Sequence, residues 1–488
     1  MSTVGWQHGR MRRRAGPLAL ALALSACTLS ACTTGDSVPS ADRGVASTST
    51  TAPAPTTTST LAPATAPACP TIPTRATPDP ARPKYTLRAD VNPAEGTVAG
   101  QLRVLFTPDV DTDRLVFRLW PNGPRSAPAA SKLETGQVTI AGHPATSTLD
   151  DPTTLTVRTG ATFRAGQTVD VSMPWELRVP GAANDRISRN GDAMRLGSFF
   201  PILPWEPGVG WATDPPAGGF AEASTAPTAD FDLTVVLPAG YDVLASGTPD
   251  PAQPGRFTAV AMRDVAMSVG RFETVTAVAN APQPVQVTVG MHRGLVDNDG
   301  VKAYLDKVVV ALEDLGTRFG PYPWPAFSLA VTPNLGGGIE YPGHVMQGQN
   351  TMGVISHEVG HQWFYGLVGN NQGRDPWLDE GLASWAEARI ENRLSQFKAR
   401  IIPPAAKNMV GEPMTFWADK TQVYSAGVYV QGAQALAALG DPDLVDCALR
   451  VFVAQNAHRI ASQADLVRAA GTVFPDAAAT LAAYGVKA

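Results

Sequence analysis

The chain is short of charge, of basic clusters and of cysteine, and each shortage narrows what it can be. Charged residues make up 17% of its 488 positions, against a usual ~25%. The net charge is only −5, and no Lys/Arg run lies beyond Arg14. A nucleic-acid partner is therefore not expected. What the chain has in plenty is Gly, at 45 residues, and Pro, at 43. Hydrophobic residues at 44% exclude a wholly disordered chain. At ~150 residues per domain the length suggests roughly three domains.

The segment from Met1 to Pro83 carries much of the compositional bias. Arg10, Arg12, Arg13 and Arg14 precede an apolar run from Ala15 to Ala26, which is too short to cross a bilayer and reads as an export signal over residues 1–32. Leu24-Ser25-Ala26-Cys27 recurs as Leu29-Ser30-Ala31-Cys32. A small-residue site ending in Cys resembles a bacterial lipoprotein box, so Cys27 or Cys32 is expected to carry lipid. The chain would then sit on the extracytoplasmic face of a membrane; plain secretion is the alternative. Residues 33–83 hold 10 Pro, 13 Thr and six charged residues. Such a segment cannot bury a core and is expected to be a disordered, extended spacer. Cys69 and Cys447 remain as a pair that an exported chain can oxidise, although the sequence does not show that they join.

From Tyr85 to about Ala279 the pattern alternates in short runs such as "YTLRADV", "GQLRVLF" and "DFDLTVVLP", punctuated by Gly, Pro, Asn and Asp. This reads as an antiparallel β-sandwich or saddle over 84–280. Beyond Pro282 the character changes. "VQVTVGMH" is a strand, "VKAYLDKVVVALEDLGTRFG" has helical periodicity with a Gly stop, and almost everything after Asn350 reads as helix. The second half, 281–488, is expected to pass from a mixed sheet into a helical lobe, making a multidomain α+β chain.

The strongest chemical signal is His357-Glu358-Val359-Gly360-His361. Two His four apart on a helix point to one side and can bind one Zn²⁺, with Glu358 placed to take a proton from water. With 7 His and 13 Glu in the chain, random placement gives roughly 0.003 such matches. Glu380 follows His361 after 18 intervening residues, in Trp377-Leu378-Asp379-Glu380, with Asp375 and Pro376 as the expected start of its helix. It is the candidate third ligand. Three protein ligands with an open position is the catalytic zinc pattern. Asp379 and Glu387 are candidates to orient the imidazoles.

The arrangement resembles the gluzincin zinc aminopeptidases, the group that includes membrane alanyl aminopeptidase and the leukotriene hydrolase. Gly336-Gly337-Gly338-Ile339-Glu340-Tyr341-Pro342 is similar to that family's Gly-rich Met-Glu strand. The resemblance implies that Glu340 caps the substrate's α-amino group while Gly337 and Gly338 let substrate backbone approach. Tyr429, three residues before Gly432, matches the family's oxyanion-stabilising Tyr, and Tyr424 matches a second Tyr near the same site. The family has Lys where Gln431 stands. The resemblance further implies a thermolysin-like zinc peptidase domain over 281–488. Its helical roof domain is expected to be lacking, since the chain from Tyr429 to Ala488 is too short to supply one.

The expectation is thus a zinc aminopeptidase acting on peptides. An open-cleft zinc endopeptidase and a non-catalytic zinc- or peptide-binding surface lipoprotein stay as alternatives. Gly197 through Trp211 occupies the place where a second acidic group for the amino end belongs, and offers only Glu206. His344 reads as a cleft or surface residue, and Trp363, Phe364 and Tyr365 as core.

Overall fold

The computed structural model describes residues 68–218 and 225–488. The signal segment, Cys27 and Cys32 lie outside them. Alternation builds the first half as the pattern predicts. In Lys84–Asn92 the side chains of Tyr85, Leu87, Ala89 and Val91 are buried while their neighbours face outward. Thr97–Phe106 does the same and pairs with it antiparallel, from Lys84 against Leu105 to Asn92 against Thr97. The turn between them closes through Gly96, at φ +69°, whose N–H donates to the Asn92 carbonyl at 2.9 Å. A residue with Cβ is disfavoured there. Each fully buried Leu or Val on such a strand contributes about 1.5–3 kcal/mol.

These strands belong to a nine-stranded sheet that runs from Thr248–Pro249 and Arg256–Met262 through Ala229–Val236 to Val169–Arg178 and beyond. It is not antiparallel throughout. Lys84–Asn92 and Ala229–Val236 run parallel, with Tyr85 beside Phe231. A parallel pair needs a long crossover, and the chain between those two strands supplies one. A four-stranded sheet adds Ile187–Asn190, Ala193–Gly197, Ala266–Gly270 and Asp242–Ala245.

The second half opens on a five-stranded mixed sheet ordered Phe272–Asn280, Pro284–His292, Ala326–Thr332, His344–Gly348 and Gly338–Tyr341. The boundary expected at 280 therefore cuts a hairpin, since Asn280 pairs with Pro284. The helix read from periodicity spans Val301–Phe319, buries Tyr304, Leu305, Val308, Leu312 and Leu315, and stops at Gly320 with φ +98°. Helices dominate from Ile355 onward. The described residues fall in one compact unit, with a continuous apolar core from Tyr85 to Val486.

The spacer expected to be disordered through 83 is seated in its last part. Cys69 is disulfide-bonded to Cys447 on the helix Pro442–Asn456. The Ala76 N–H donates to the Ala454 carbonyl at 2.8 Å, and the Arg75 guanidinium to the Pro321 carbonyl at 2.5 Å. Covalent and backbone ties overrule a composition that by itself favours disorder.

Candidate metal centre and its cleft

The five-residue motif forms the helix Ile355–Gly360. His361 lies just past its end but keeps helical angles (φ −61°, ψ −14°), so the two imidazoles remain on one face, with ring centres 4.7 Å apart. Glu380 arrives on the helix Trp377–Ile390, which begins after Pro376 rather than at Asp375. The Asp375 carboxylate instead accepts from Gln463. Glu380 Oε2 lies 3.1 Å from His357 Nε2 and 3.5 Å from His361 Nε2. The donor atoms of this triad all fall within 4.8 Å of one another. Two imidazole nitrogens and a carboxylate oxygen converging from two helices suit Zn²⁺.

The surrounding charge also calls for a cation. Glu340, Glu358, Asp379, Glu380 and Glu387 gather about the two imidazoles, and the first four are buried. Burial alone would lower the His357 pKa, but the nearby carboxylates of Glu380 and Glu387 outweigh it and raise it to about 9. Burial pushes the Glu358 carboxyl up to about 7, against the pull of the two His. Burial likewise pushes Glu340 up to about 8.

The orienting partners are present. Asp379 Oδ1 accepts from His361 Nδ1 at 2.6 Å, while its Oδ2 accepts from Gln372 Nε2 at 2.6 Å. Glu387 Oε2 is 3.6 Å from His357 Nδ1, within ion-pair reach but long for a hydrogen bond. Tyr429 sits in a wide π turn, Ala426–Val430, that precedes the helix Gln431–Ala437. Such turns cluster at functional sites. Its ring stacks on His357, with centres 5.5 Å apart and planes 9° from parallel, and Tyr424 meets it edge-on at 5.7 Å.

Glu340 lies on Gly338–Tyr341, the edge strand of the five-stranded sheet. Its Oε1 is buried and has no hydrogen-bond partner. Gly338 is there because Glu358 leaves no room for anything larger: a Cβ would stand 2.3 Å from the Glu358 carboxyl carbon. Gly337 faces open space. A cavity of about 440 Å³ joins all these groups, with Gly337, Gly338, Glu340, His357, Glu358, His361, Glu380, Tyr424 and Tyr429 in its wall.

Residues 341–480 match the model of the peptidase family M1 domain. Over those residues the chain is similar to M1 peptidases. Leukotriene A-4 hydrolase of Xenopus laevis is 35% identical over 111 residues, 20% of this chain and 18% of that protein. Aminopeptidase B of Homo sapiens is 35% identical over 85 residues, 16% of this chain and 13% of that one. The chain thus spans under a fifth of the length of these curated relatives. An M1 zinc metallopeptidase from Deinococcus radiodurans has the same fold, with a TM-score of 0.63 at 21% identity over 83% of this chain and 93% of that one.

Around this site the structure also corrects and adds. His344 is neither in the cleft nor at the surface. It is fully buried between Ser328 (2.7 Å) and Ser268 (3.0 Å), and burial lowers its pKa to about 3. Trp363, Phe364 and Tyr365 are core residues. Glu206 turns away from the cleft to Asn371 and Arg374. In its place Arg125, Asn184 and Arg186 line the cavity. No spacing in the sequence marked these three, because they reach the site from the first half of the chain, far from the metal motif.

Proposed function

We propose that the chain is a zinc-dependent aminopeptidase that removes N-terminal residues from peptides. The observation that carries this reading is the orphaned Glu340 oxygen. A buried acceptor without a partner is costly, and a substrate's ammonium group would satisfy it in the same cavity as the metal triad. His357, His361 and Glu380 would hold one zinc ion. Bound there, zinc supplies Lewis acidity that polarises a carbonyl and lowers the pKa of its water to about 7.

The chain's own residues do the rest. Glu340 accepts the ammonium and fixes the register of the peptide along the edge strand. Glu358 takes a proton from the attacking water and hands it to the departing amine. The Tyr429 hydroxyl donates to the oxyanion, a contribution of about 2.7–4 kcal/mol in comparable sites. Asp379 holds His361 in one tautomer. We place the division between a β-sandwich or saddle domain and a thermolysin-like peptidase domain before Phe272. From the repeated Leu-Ser-Ala-Cys segments we infer lipid attachment at Cys27 or Cys32 and a site of action outside the cytoplasm. Incorporation of labelled fatty acid that is lost in the double Ser variant tests that inference.

The test of the activity compares alanyl peptides with a free and with an acetylated N-terminus. The aminopeptidase reading expects cleavage of the free form alone, with Glu340→Ala acting mainly on that form. Equal cleavage of both forms makes the protein an endopeptidase.

A further inference from the structure

Glu340 depends on its strand for its place. That strand, Gly338–Tyr341, is four residues long, lies at the edge of its sheet and pairs with one neighbour, His344–Gly348. No hydrogen bond holds Glu340 Oε1. The next residue, Tyr341, is anchored from outside the sheet. Its hydroxyl belongs to a run of three hydrogen bonds with one direction. The Ser198 hydroxyl donates to Asp264 Oδ2 at 2.8 Å. The Ser198 oxygen is then left to accept from the Tyr341 hydroxyl, 3.0 Å away. The Tyr341 hydroxyl in turn accepts from Arg186 Nη1 at 3.2 Å. All four side chains are buried, and the three that meet Tyr341 in this run come from the first half of the chain.

The backbone is shaped around this contact. Ser198 has φ +48°, a left-handed conformation that costs a residue with Cβ and persists where its surroundings impose it, often at functional sites. Its neighbour Gly197 has no room for a Cβ, which would stand 2.4 Å from the Tyr341 hydroxyl oxygen. The Tyr341 ring otherwise packs among Ala266, Leu335, Ile339 and Met346, where a Phe would serve as well. The hydroxyl is thus the feature that the glycine and the strained serine accommodate. The Tyr341 carbonyl accepts separately from Gln362 Nε2 at 3.0 Å, so the strand stays attached when the hydroxyl is removed.

We propose that Tyr341 is a positioning residue. Its hydroxyl, held by Ser198 and Arg186, fixes the edge strand so that Glu340 meets the substrate's ammonium. This rests on the aminopeptidase reading and deepens it: selectivity for a free N-terminus is set in part by the first half of the chain, through a residue that does not itself touch the amino group.

The experiment is calorimetric binding of two small inhibitors to the zinc-loaded full-length protein. Alanine hydroxamate carries a free amine; propionohydroxamate is the same molecule without it. Both reach the metal through the hydroxamate, so their ratio reads the amine subsite alone. Wild type is expected to bind the alanine compound about 30-fold tighter, as suits a charge-assisted buried hydrogen bond. Tyr341→Phe should shrink that gap to about threefold while its affinity for propionohydroxamate stays within about twofold of wild type. Ser198→Gly keeps the left-handed backbone and removes the same bond, and should shrink the gap likewise. The double variant should be no worse than either single one, because both remove one shared interaction. An unchanged gap in both single variants, or equal weakening of both inhibitors, overturns the positioning role and leaves the aminopeptidase reading intact. No gap in wild type overturns that reading, and the positioning role with it.

Discussion

Replacing Gly338 by Ala separates catalysis from folding. The added Cβ would stand 2.3 Å from both Cδ and Cγ of Glu358 and 2.5 Å from its Oε1, where ordinary contact needs at least about 3.4 Å. Something must move by about 1 Å. The obstacle is the end of a flexible side chain, so the Glu358 carboxylate yields and the backbone stays. Misplacing a catalytic group by 1 Å costs about 100-fold in rate, or about 2.7 kcal/mol of barrier. None of the three metal ligands is among the atoms that this Cβ meets most closely. We expect kcat on an alanyl reporter amide to fall about 100-fold, with zinc content unchanged and the melting temperature within a few degrees. Gly353→Ala, whose Cβ meets nothing within 4 Å, is the control and should stay active. Wild-type turnover by Gly338→Ala would show that Glu358 is not the proton acceptor, because its position would then not matter.

Three further outcomes follow from named contacts. Asp379→Asn removes the anion that accepts from His361 Nδ1; zinc affinity measured by chelator competition should drop about 10- to 100-fold. Replacing Cys69 and Cys447 by Ser opens a link between residues 378 apart in sequence, and denaturant unfolding should show a loss of about 2–5 kcal/mol. Burial lifts the Asp264 carboxyl to about 7. The folded state therefore holds its proton over a range where the unfolded chain has released it, and stability falls as pH rises from about 4 to 7. Asp264→Asn keeps an acceptor for Ser198 and removes that fall. It should melt higher than the parent at pH 8, by up to about 4 kcal/mol of stability, and the gap should close towards pH 4.

The metal centre was legible because its chemistry is local. His357 and His361 are four apart on a helix, and Glu380 begins the next long one. Glu340 and Gly338 were read through the resemblance, and the structure supplies the steric reason for Gly338. Tyr429 was found by resemblance alone, since nothing in the sequence announces a π turn. Contacts between distant segments stayed hidden. Arg125 and Arg186 reach the cleft through Asp185 and Tyr341. Burial lowers the His344 pKa, and the two serines beside it come from separate strands. The parallel pairing of Lys84–Asn92 with Ala229–Val236 is closed by a crossover that alternation cannot reveal. The seat of residues 68–83 depends on a disulfide to a helix near the other end of the chain, and composition, being a local property, pointed the other way.

The central claim is that His357, His361 and Glu380 hold one catalytic zinc with Glu358 as the base. Metal analysis and turnover on the same preparations of wild type and Glu358→Gln test it most directly. The account predicts one zinc per chain in both, with alanyl-amide turnover reduced by at least about 100-fold in the variant. Wild-type protein without zinc, or a Glu358→Gln variant that keeps its turnover, would contradict it.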